Sequence, residues 1–280
     1  MKTFILAVDG LEHDFVVKHG LKNLLQEEYG RVQIPKETYV RGIEGEVVPY
    51  TPIIWACFLT GRLPQEHGVY SDGRWNNRVL NFISKLSVKH GLLWIRGKGK
   101  YLEKLGFKRK SFTKEDYKIK TIFDLTDKWI QVNVPTVDSR WKMALVPNES
   151  NLSLEEIAKL RLEHFYRVRR EVMEKVGGEW NLFMGYTRIV DVYGHMYWGL
   201  EGKMLEVYGL MNDFVRELKK KLPKEVFFLI VSDHGMRRIE GLRYGGTHSD
   251  HGFYSTNIKV GLGNPKMTDF YHLIEKILKV

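Results

Sequence analysis

The stretch Val48-Pro49-Tyr50-Thr51-Pro52-Ile53-Ile54-Trp55-Ala56-Cys57-Phe58-Leu59-Thr60-Gly61 decides how this chain reads. Val47 and Val48 mark the end of a strand. Pro52 suits the first position of a helix, where its missing N–H costs nothing. Thr51 then falls at the N-cap, with its hydroxyl facing the free N–H groups of the first turn. Ile54, Trp55, Phe58 and Leu59 supply an apolar stripe, and Gly61 stops the helix. A hydroxyl at the positive end of a helix dipole is well placed to meet an anion. Taken alone, a Thr-Pro pair before an apolar run is a common helix cap.

Upstream, Phe4 to Val8 predicts a buried central strand with Asp9-Gly10 at its carboxyl end. Phe15, Val16, Leu21, Leu24 and Leu25 are spaced for one face of a helix over about Glu12 to Tyr29. Tyr39 to Val48 predicts one or two short strands. Downstream, Arg62 to Gly68 is a polar, turn-rich exit. Thr121 to Leu125 starts a short helix, and Trp129 to Val134 is a strand ended by Pro135. A long amphipathic helix runs from about Ser153 to Val176. Asn181 to Tyr186 is a strand leading to Asp191, and Met204 to Leu222 is helical. Val226 to Val231 is a very apolar strand capped by Asp233-His234-Gly235. Phe253 to Val260 reads as an edge strand and Thr268 to Leu278 as a closing helix. Strands alternating with helices predict an α/β fold, a sheet with helices on both faces. Ligands of such sheets sit at the carboxyl ends of the strands, where Asp9, Thr51, Asp191 and Asp233-His234 all fall.

The composition narrows the partners. The 280 residues are 43% hydrophobic, enough for a sizeable core and against bulk disorder. The formal charge of +10 favours anionic partners, whether phosphate esters, nucleic acid or an anionic surface. Cys57 is the single cysteine, so no internal disulfide forms and a cytoplasmic location is the expectation. The apolar run at the N-terminus stops at Asp9, too short for a membrane span. From Lys85 to Lys120 there are 12 Lys or Arg against 3 Asp or Glu, interleaved with Trp94, Tyr101 and Phe107. We read residues 71–120 as a basic cap inserted into one catalytic domain spanning 1–280. A charge run of this kind is commonly a solvated face; the sharper reading is a lid that collects anionic substrate.

Asp9, Thr51, Asp191, His195, Asp233, His234 and His248 form one constellation of candidate ligands. Carboxylates and imidazoles suit Zn²⁺ or Mn²⁺. Two ions roughly 3.5–4 Å apart can clamp the attacking and leaving oxygens of a phosphoryl transfer. Each residue has a bland alternative: Asp9-Gly10 as a turn, Asp191-x-x-x-His195 as a chance spacing, His248 as a loop histidine. Asp233-His234 is stronger, because two polar side chains capping Val-Phe-Phe-Leu-Ile-Val are seldom there for packing.

In combination these motifs resemble the alkaline phosphatase superfamily, and within it the type I phosphodiesterase and nucleotide pyrophosphatase family. The likeness covers Phe4–Gly10, Pro49–Val69, Thr121–Pro135, Asp191–His195, Val226–Met236 and Gly246–Gly252, with Ser71–Lys120 unmatched. It implies a mostly parallel central sheet with helices on both faces. Thr51 stands nine residues before Thr60-Gly61, as the family's nucleophilic threonine stands before its Thr-Gly. The resemblance therefore implies attack by Thr51 on a phosphate ester or nucleotide and a phospho-threonine intermediate. It implies that Asp9, Thr51, Asp233 and His234 hold one divalent ion and Asp191, His195 and His248 the other. Zinc is expected first, with manganese as the alternative. One departure is Ile54, where eukaryotic nucleotide pyrophosphatases carry an asparagine aimed at a phosphoryl oxygen. The donor must then come from the Pro52–Ile54 backbone or from an Arg or Lys of the cap.

Other readings remain open at this point. A phosphomutase or phosphonate hydrolase of the same superfamily shares the ligands, although residues 71–120 are short for a mutase's second domain. A sulfatase would need Cys or Ser at the nucleophile followed by Pro and Arg. A nucleic-acid binder with a degenerate site would use the basic segment, but all seven ligand types are intact.

Overall fold

The computed structural model of the protein describes residues 1–41, 46–77, 79–83, 102, 105–141, 152–241 and 243–280. Most of the basic stretch, including Arg96, Lys98 and Lys100, lies outside the described residues.

The chain opens with β1 (Thr3–Val8), α1 (His13–Lys18), β2 (Glu28–Gln33), β3 (Tyr39–Arg41) and β4 (Val47–Pro49). Next come α2 (Thr51–Thr60), α3 (Pro64–His67), β5 (Gly73–Trp75), β6 (Arg109–Ser111) and β7 (Trp129–Val132). The second half contains α4 (Leu154–Lys175), β8 (Leu182–Thr187), α5 (Ile189–Tyr197), α6 (Glu201–Lys221) and β9 (Phe227–Ser232). It ends with β10 (Met236–Arg238), β11 (Gly246–His248), β12 (His251–Thr256) and α7 (Asp269–Leu278).

Six strands form the main sheet in the order β2-β12-β9-β1-β8-β7. β9, β1, β8 and β7 are parallel, and β12 runs antiparallel to both β9 and β2. The strands β1, β8 and β9 are buried along their whole length, which is why they read as near-continuous apolar runs. Their side chains alternate between two cores. Phe4, Leu6 and Val8 meet Phe165, Val168 and Val172 of α4 and the apolar faces of α5 and α6. Ile5 and Ala7 meet Ile54, Trp55, Phe58 and Leu59 of α2 and Phe270, Ile274 and Ile277 of α7. The sheet is therefore mostly parallel with helices on both faces, as expected.

Three local expectations are corrected. The helix expected over Glu12–Tyr29 stops at Lys18. Gly20 takes a left-handed φ of 58°, and Glu28–Gln33 instead pairs antiparallel with β12. Leu24 is still buried, so the apolar spacing reported burial correctly but not the element. The strand expected at Phe253–Val260 is no edge: β12 lies between β9 and β2, and β2 takes the edge. Finally, Thr51 is the first residue of α2, and Tyr50 is its N-cap. The helix shows no single stripe, because all ten of its residues are buried. Gly61 does end it in the left-handed region, at φ 65°.

Of the basic segment's described cations, Arg109 is paired with Asp72 across the β5–β6 hairpin and lies 5.8 Å from the Trp75 ring. Arg74 pairs with Asp116 at 2.5 Å. Lys108 and Lys110 are exposed. Among the described residues, no helix is long and apolar enough to cross a membrane.

Candidate metal centre

Six of the seven predicted residues sit where a strand ends or a helix begins, and His195 lies in the last turn of α5. Asp9 follows β1, and Asp233-His234 follows β9. Asp191 lies in the first turn of α5, just beyond β8, and His195 is one turn further along the same face. Thr51 opens α2, and His248 closes β11. The β10–β11 hairpin sets Met236 opposite His248, which brings the last histidine back beside Asp233-His234.

Backbone contacts fix the first two strand ends relative to each other. The Asp9 N–H donates to Thr187 O at 2.9 Å, and the Asp191 N–H donates to Asp9 O at 3.1 Å. Gly10 makes this approach possible. It has a φ of 74°, and a Cβ there would lie 2.6 Å from the Asp191 Cα.

The structure gathers the residues into two groups, Asp9-Asp233-His234 and Asp191-His195-His248. The Thr51 hydroxyl lies beside the first, 3.2 Å from His234 Nε2. Asp9 Oδ1 is 3.1 Å and Asp233 Oδ2 3.5 Å from the same nitrogen. In the second group, Asp191 Oδ1 is 3.2 Å from His195 Nε2 and 3.4 Å from His248 Nε2. The two groups touch: the rings of His234 and His248 stack at 3.6 Å with 17° between planes.

All three histidines point the same nitrogen inward. Nδ1 of His195 faces Gly246 O at 3.0 Å, Nδ1 of His234 faces Gly235 O at 3.0 Å, and Nδ1 of His248 faces Pro49 O at 2.8 Å. A carbonyl only accepts, so the proton is assigned to Nδ1 and the Nε2 lone pairs face the site. Metal-binding histidines are held in this way. The Nε2 atoms of His195 and His248 stand only 3.0 Å apart. With Nδ1 carrying the proton, that places two lone pairs against each other and against a carboxylate. A cation between them turns this repulsion into coordination.

The oxygens tell the same story. Asp9 Oδ1, Asp191 Oδ1 and both oxygens of Asp233 are buried without a hydrogen-bond partner among the described residues. Burial, followed by the neighbouring Asp9 carboxylate, pushes the Asp233 carboxyl well above its usual range. For His234, burial is the largest influence and lowers it, but Asp233 and Asp9 outweigh it and raise it to about 10. A buried carboxylate with no donors is costly unless it is paired or coordinates a metal. The donor set of three carboxylates, three imidazoles and one hydroxyl fits divalent ions of the zinc and manganese type.

The groups open into a cleft of about 570 Å³. Its described walls include Thr51, Arg188, Arg41, Trp141, Tyr50, Val40, Val48 and Ile239. Three residues beyond the predicted seven shape the site. The Tyr186 hydroxyl donates to Asp9 Oδ2, and its ring meets Trp55 edge-on at 5.7 Å. Glu12 braces the loops that carry the ligands, accepting from the Met236 N–H at 3.0 Å and Ser249 Oγ at 2.9 Å. Arg188 precedes α5. None carried a sequence signal of its own: Tyr186 read as the end of a strand, Glu12 as the start of a helix, and Arg188 was not singled out.

The sequence profile of the type I phosphodiesterase / nucleotide pyrophosphatase family matches residues 3–260, and the chain belongs to that family. No curated protein sequence matches the chain. Among solved structures it is similar to murine ectonucleotide pyrophosphatase / phosphodiesterase 5, at 16% identity and a TM-score of 0.47, covering 86% of this chain and 59% of that one. The same values hold for an inactive variant of that murine protein in complex with AMP. The human counterpart also gives 16% and 0.47, with 86% of this chain and 58% of that one covered. The chain thus spans less than two thirds of the length of these proteins.

Proposed function

We propose that the protein is a two-metal hydrolase of phosphate esters, of the phosphodiesterase and nucleotide pyrophosphatase type, acting through a phospho-threonine. The observation that supports this most is the convergence of three histidine Nε2 atoms and buried carboxylate oxygens without hydrogen-bond donors among the described residues, beside the Thr51 hydroxyl. Family membership supports the same reaction class. Asp9, Thr51, Asp233 and His234 would hold one ion, and Asp191, His195 and His248 the other. Zinc suits this donor set, with manganese as the alternative. When bound, such ions supply positive charge to a phosphoryl oxygen and to the attacking oxygen.

The chain's own residues do the rest. Thr51 Oγ, held at the first position of a buried helix, passes its proton to solvent in the cleft and forms a bond to phosphorus. The bond from phosphorus to the ester oxygen breaks, and the alcohol leaves toward the cleft. Water then cleaves the phosphorus–Thr51 bond and restores the hydroxyl. Asp9 is kept in place by Tyr186, and the three imidazoles by their backbone carbonyls. We further propose one catalytic domain over 1–280 with a cap at 71–120, a cytoplasmic location, and a nucleotide or other small phosphate ester as substrate.

The test compares a nitrophenyl monoester, a nitrophenyl diester and a dinucleotide, each with added Zn²⁺ or Mn²⁺. Turnover that needs metal and leaves radiolabelled phosphate on Thr51 after acid quench is expected. Metal-dependent turnover with no label on Thr51 would remove the covalent route, and no turnover of any ester would remove the hydrolase.

A further inference from the structure

We infer that the two metal sites are unlike. Asp191, His195 and His248 form an open, nitrogen-rich site that takes zinc, and Asp9, Asp233, His234 and Thr51 form a closed, oxygen-rich site that accepts manganese beside it. The inference rests on the two-metal reading above and deepens it by naming the ion at each place.

The donor sets differ first. Around His234 Nε2 stand Asp9 Oδ1 at 3.1 Å, Thr51 Oγ at 3.2 Å and Asp233 Oδ2 at 3.5 Å. Asp233 Oδ1 is also buried without a hydrogen-bond partner among the described residues, so this carboxylate can offer both of its oxygens. The Tyr186 hydroxyl donates to Asp9 Oδ2, which leaves Oδ1 as the ligand atom of Asp9. Oxygens thus outnumber the single nitrogen of His234. In the other group one oxygen, Asp191 Oδ1, meets the Nε2 atoms of two histidines, at 3.2 and 3.4 Å. Imidazole suits zinc, whereas oxygen ligands and a higher ligand count suit manganese. Zinc outcompetes manganese at most sites of this kind, so the contrast shows where zinc is scarce and manganese plentiful.

Access differs too. The side chains of Asp233 and His234 are 0% exposed, and that of Asp9 3%. Thr51 is buried as well. In the second group Asp191 is 6% exposed, but His195 is 45% exposed. That leaves the second site a side toward the cleft. Three protein ligands and one open position are the pattern of a catalytic zinc site.

The open site is also spaced for a small tetrahedral ion. Ligand atoms bound at about 2.0–2.1 Å around such an ion stand about 3.3 Å from one another. The three donors here stand 3.0, 3.2 and 3.4 Å apart. Gly246 O and Pro49 O hold the two rings from behind, at 3.0 and 2.8 Å.

The test is competitive loading of the metal-free full chain by equilibrium dialysis. Free Zn²⁺ is buffered at a level that fills a single site, Mn²⁺ is in excess, and each bound metal is counted by elemental analysis. Wild type should hold about one zinc and about one manganese per chain. His195→Ala changes the exposed ligand. It should bind zinc more than about a hundredfold more weakly, beyond the effect of losing a residue behind a ligand, and keep its manganese. Asp233→Asn should do the reverse, losing manganese and keeping zinc. Should the asparagine variant fail to fold, the alanine variant decides alone. Wild type holding two ions of one kind, or none, overturns the inference. So does zinc retained by His195→Ala, or an equal loss of both ions in that variant. No ester enters the measurement. Partition of the ions in this way without turnover of any ester would sink the hydrolase and leave the inference standing. Ester turnover by a chain that holds two ions of one kind under these conditions would do the opposite.

Discussion

Two neighbouring clusters use the same residue types and come to opposite ends. Asp9, Asp233 and His234 form one; Glu12, Asp14 and His251 form the other. Asp9 and Glu12 are three residues apart in the chain. In the first cluster, Asp9 Oδ1 and both oxygens of Asp233 are buried with no hydrogen-bond donor among the described residues, and only Asp9 Oδ2 has one, the Tyr186 hydroxyl. In the second, the Glu12 carboxylate takes the Met236 N–H, the Ser249 hydroxyl, the Asp14 N–H and His251 Nε2 at 2.8–3.2 Å. The difference teaches that acids and histidines in a group do not by themselves make a metal site. Carboxylates already saturated by donors are braces, and those that are buried and unsatisfied await a cation. Glu12 ties the loop after β9 to the loop after β11, and so holds Asp233-His234 and His248 in register.

The largest expected effect lies at Thr51. Thr51→Ala should lower turnover by roughly a thousandfold or more, the scale of a removed nucleophile, with an unchanged unfolding temperature in chelator. Thr51→Ser should keep a measurable fraction. Alanine turnover close to wild type would reassign the nucleophile.

Next comes the unsatisfied cluster. Asp233→Asn should cut tightly held metal from about two ions per chain to about one, read by elemental analysis after reconstitution. In chelator the same variant should unfold no lower than wild type, because it removes a buried carboxyl without donors. A variant that keeps both ions, or one that is clearly less stable without metal, would show that Asp233 is a brace like Glu12.

The brace should behave the other way. Glu12→Ala leaves the Met236 N–H, Ser249 Oγ and His251 without their acceptor, a cost of roughly 3–5 kcal/mol in urea unfolding. Metal should still bind at full stoichiometry but about ten- to hundredfold more weakly, as when a residue behind the ligands is lost. Loss of metal with no loss of stability in chelator would make Glu12 a ligand and erase the contrast between the clusters.

How much of this was legible in the sequence follows from the same contrast. Asp233-His234 stood out because six buried apolar residues lead, after Ser232, into two ionisable ones, and Asp9 because the apolar run of β1 ends on it. Thr51 was placed to within one residue by Pro52 and Gly61. The β2 strand was not legible: its pairing with β12 joins residues more than 200 positions apart, and local apolar spacing favoured a helix. Glu12 and Tyr186 were missed for a related reason. Their partners, Met236 and Ser249 for one and Asp9 for the other, are distant in sequence, and only the closed sheet brings them together. Arg188 was passed over because a single arginine before a helix is usually a surface charge.

The smallest effect concerns the brace's own histidine. Burial is the largest influence on His251 and lowers it, but Glu12 and then Asp250 outweigh burial and raise it above its ordinary value. Both ring nitrogens face carboxylates, Nε2 toward Glu12 and Nδ1 toward Asp250 at 3.1 Å, which suits the charged imidazole. A group whose folded value is raised contributes stability that is fully present below its unfolded value, near pH 6.5, and is lost as pH rises through the folded value. The stability gap between wild type and His251→Gln should therefore be wider at pH 6 than at pH 9. We expect the change to stay under about 1 kcal/mol, since the Asp250 partner is exposed and screened. Measuring both proteins in chelator by urea unfolding removes metal binding, and taking the difference cancels titrations that the two proteins share. A gap that widens with pH would mean that His251 sits neutral, and that Glu12 is satisfied by Met236 and Ser249 alone.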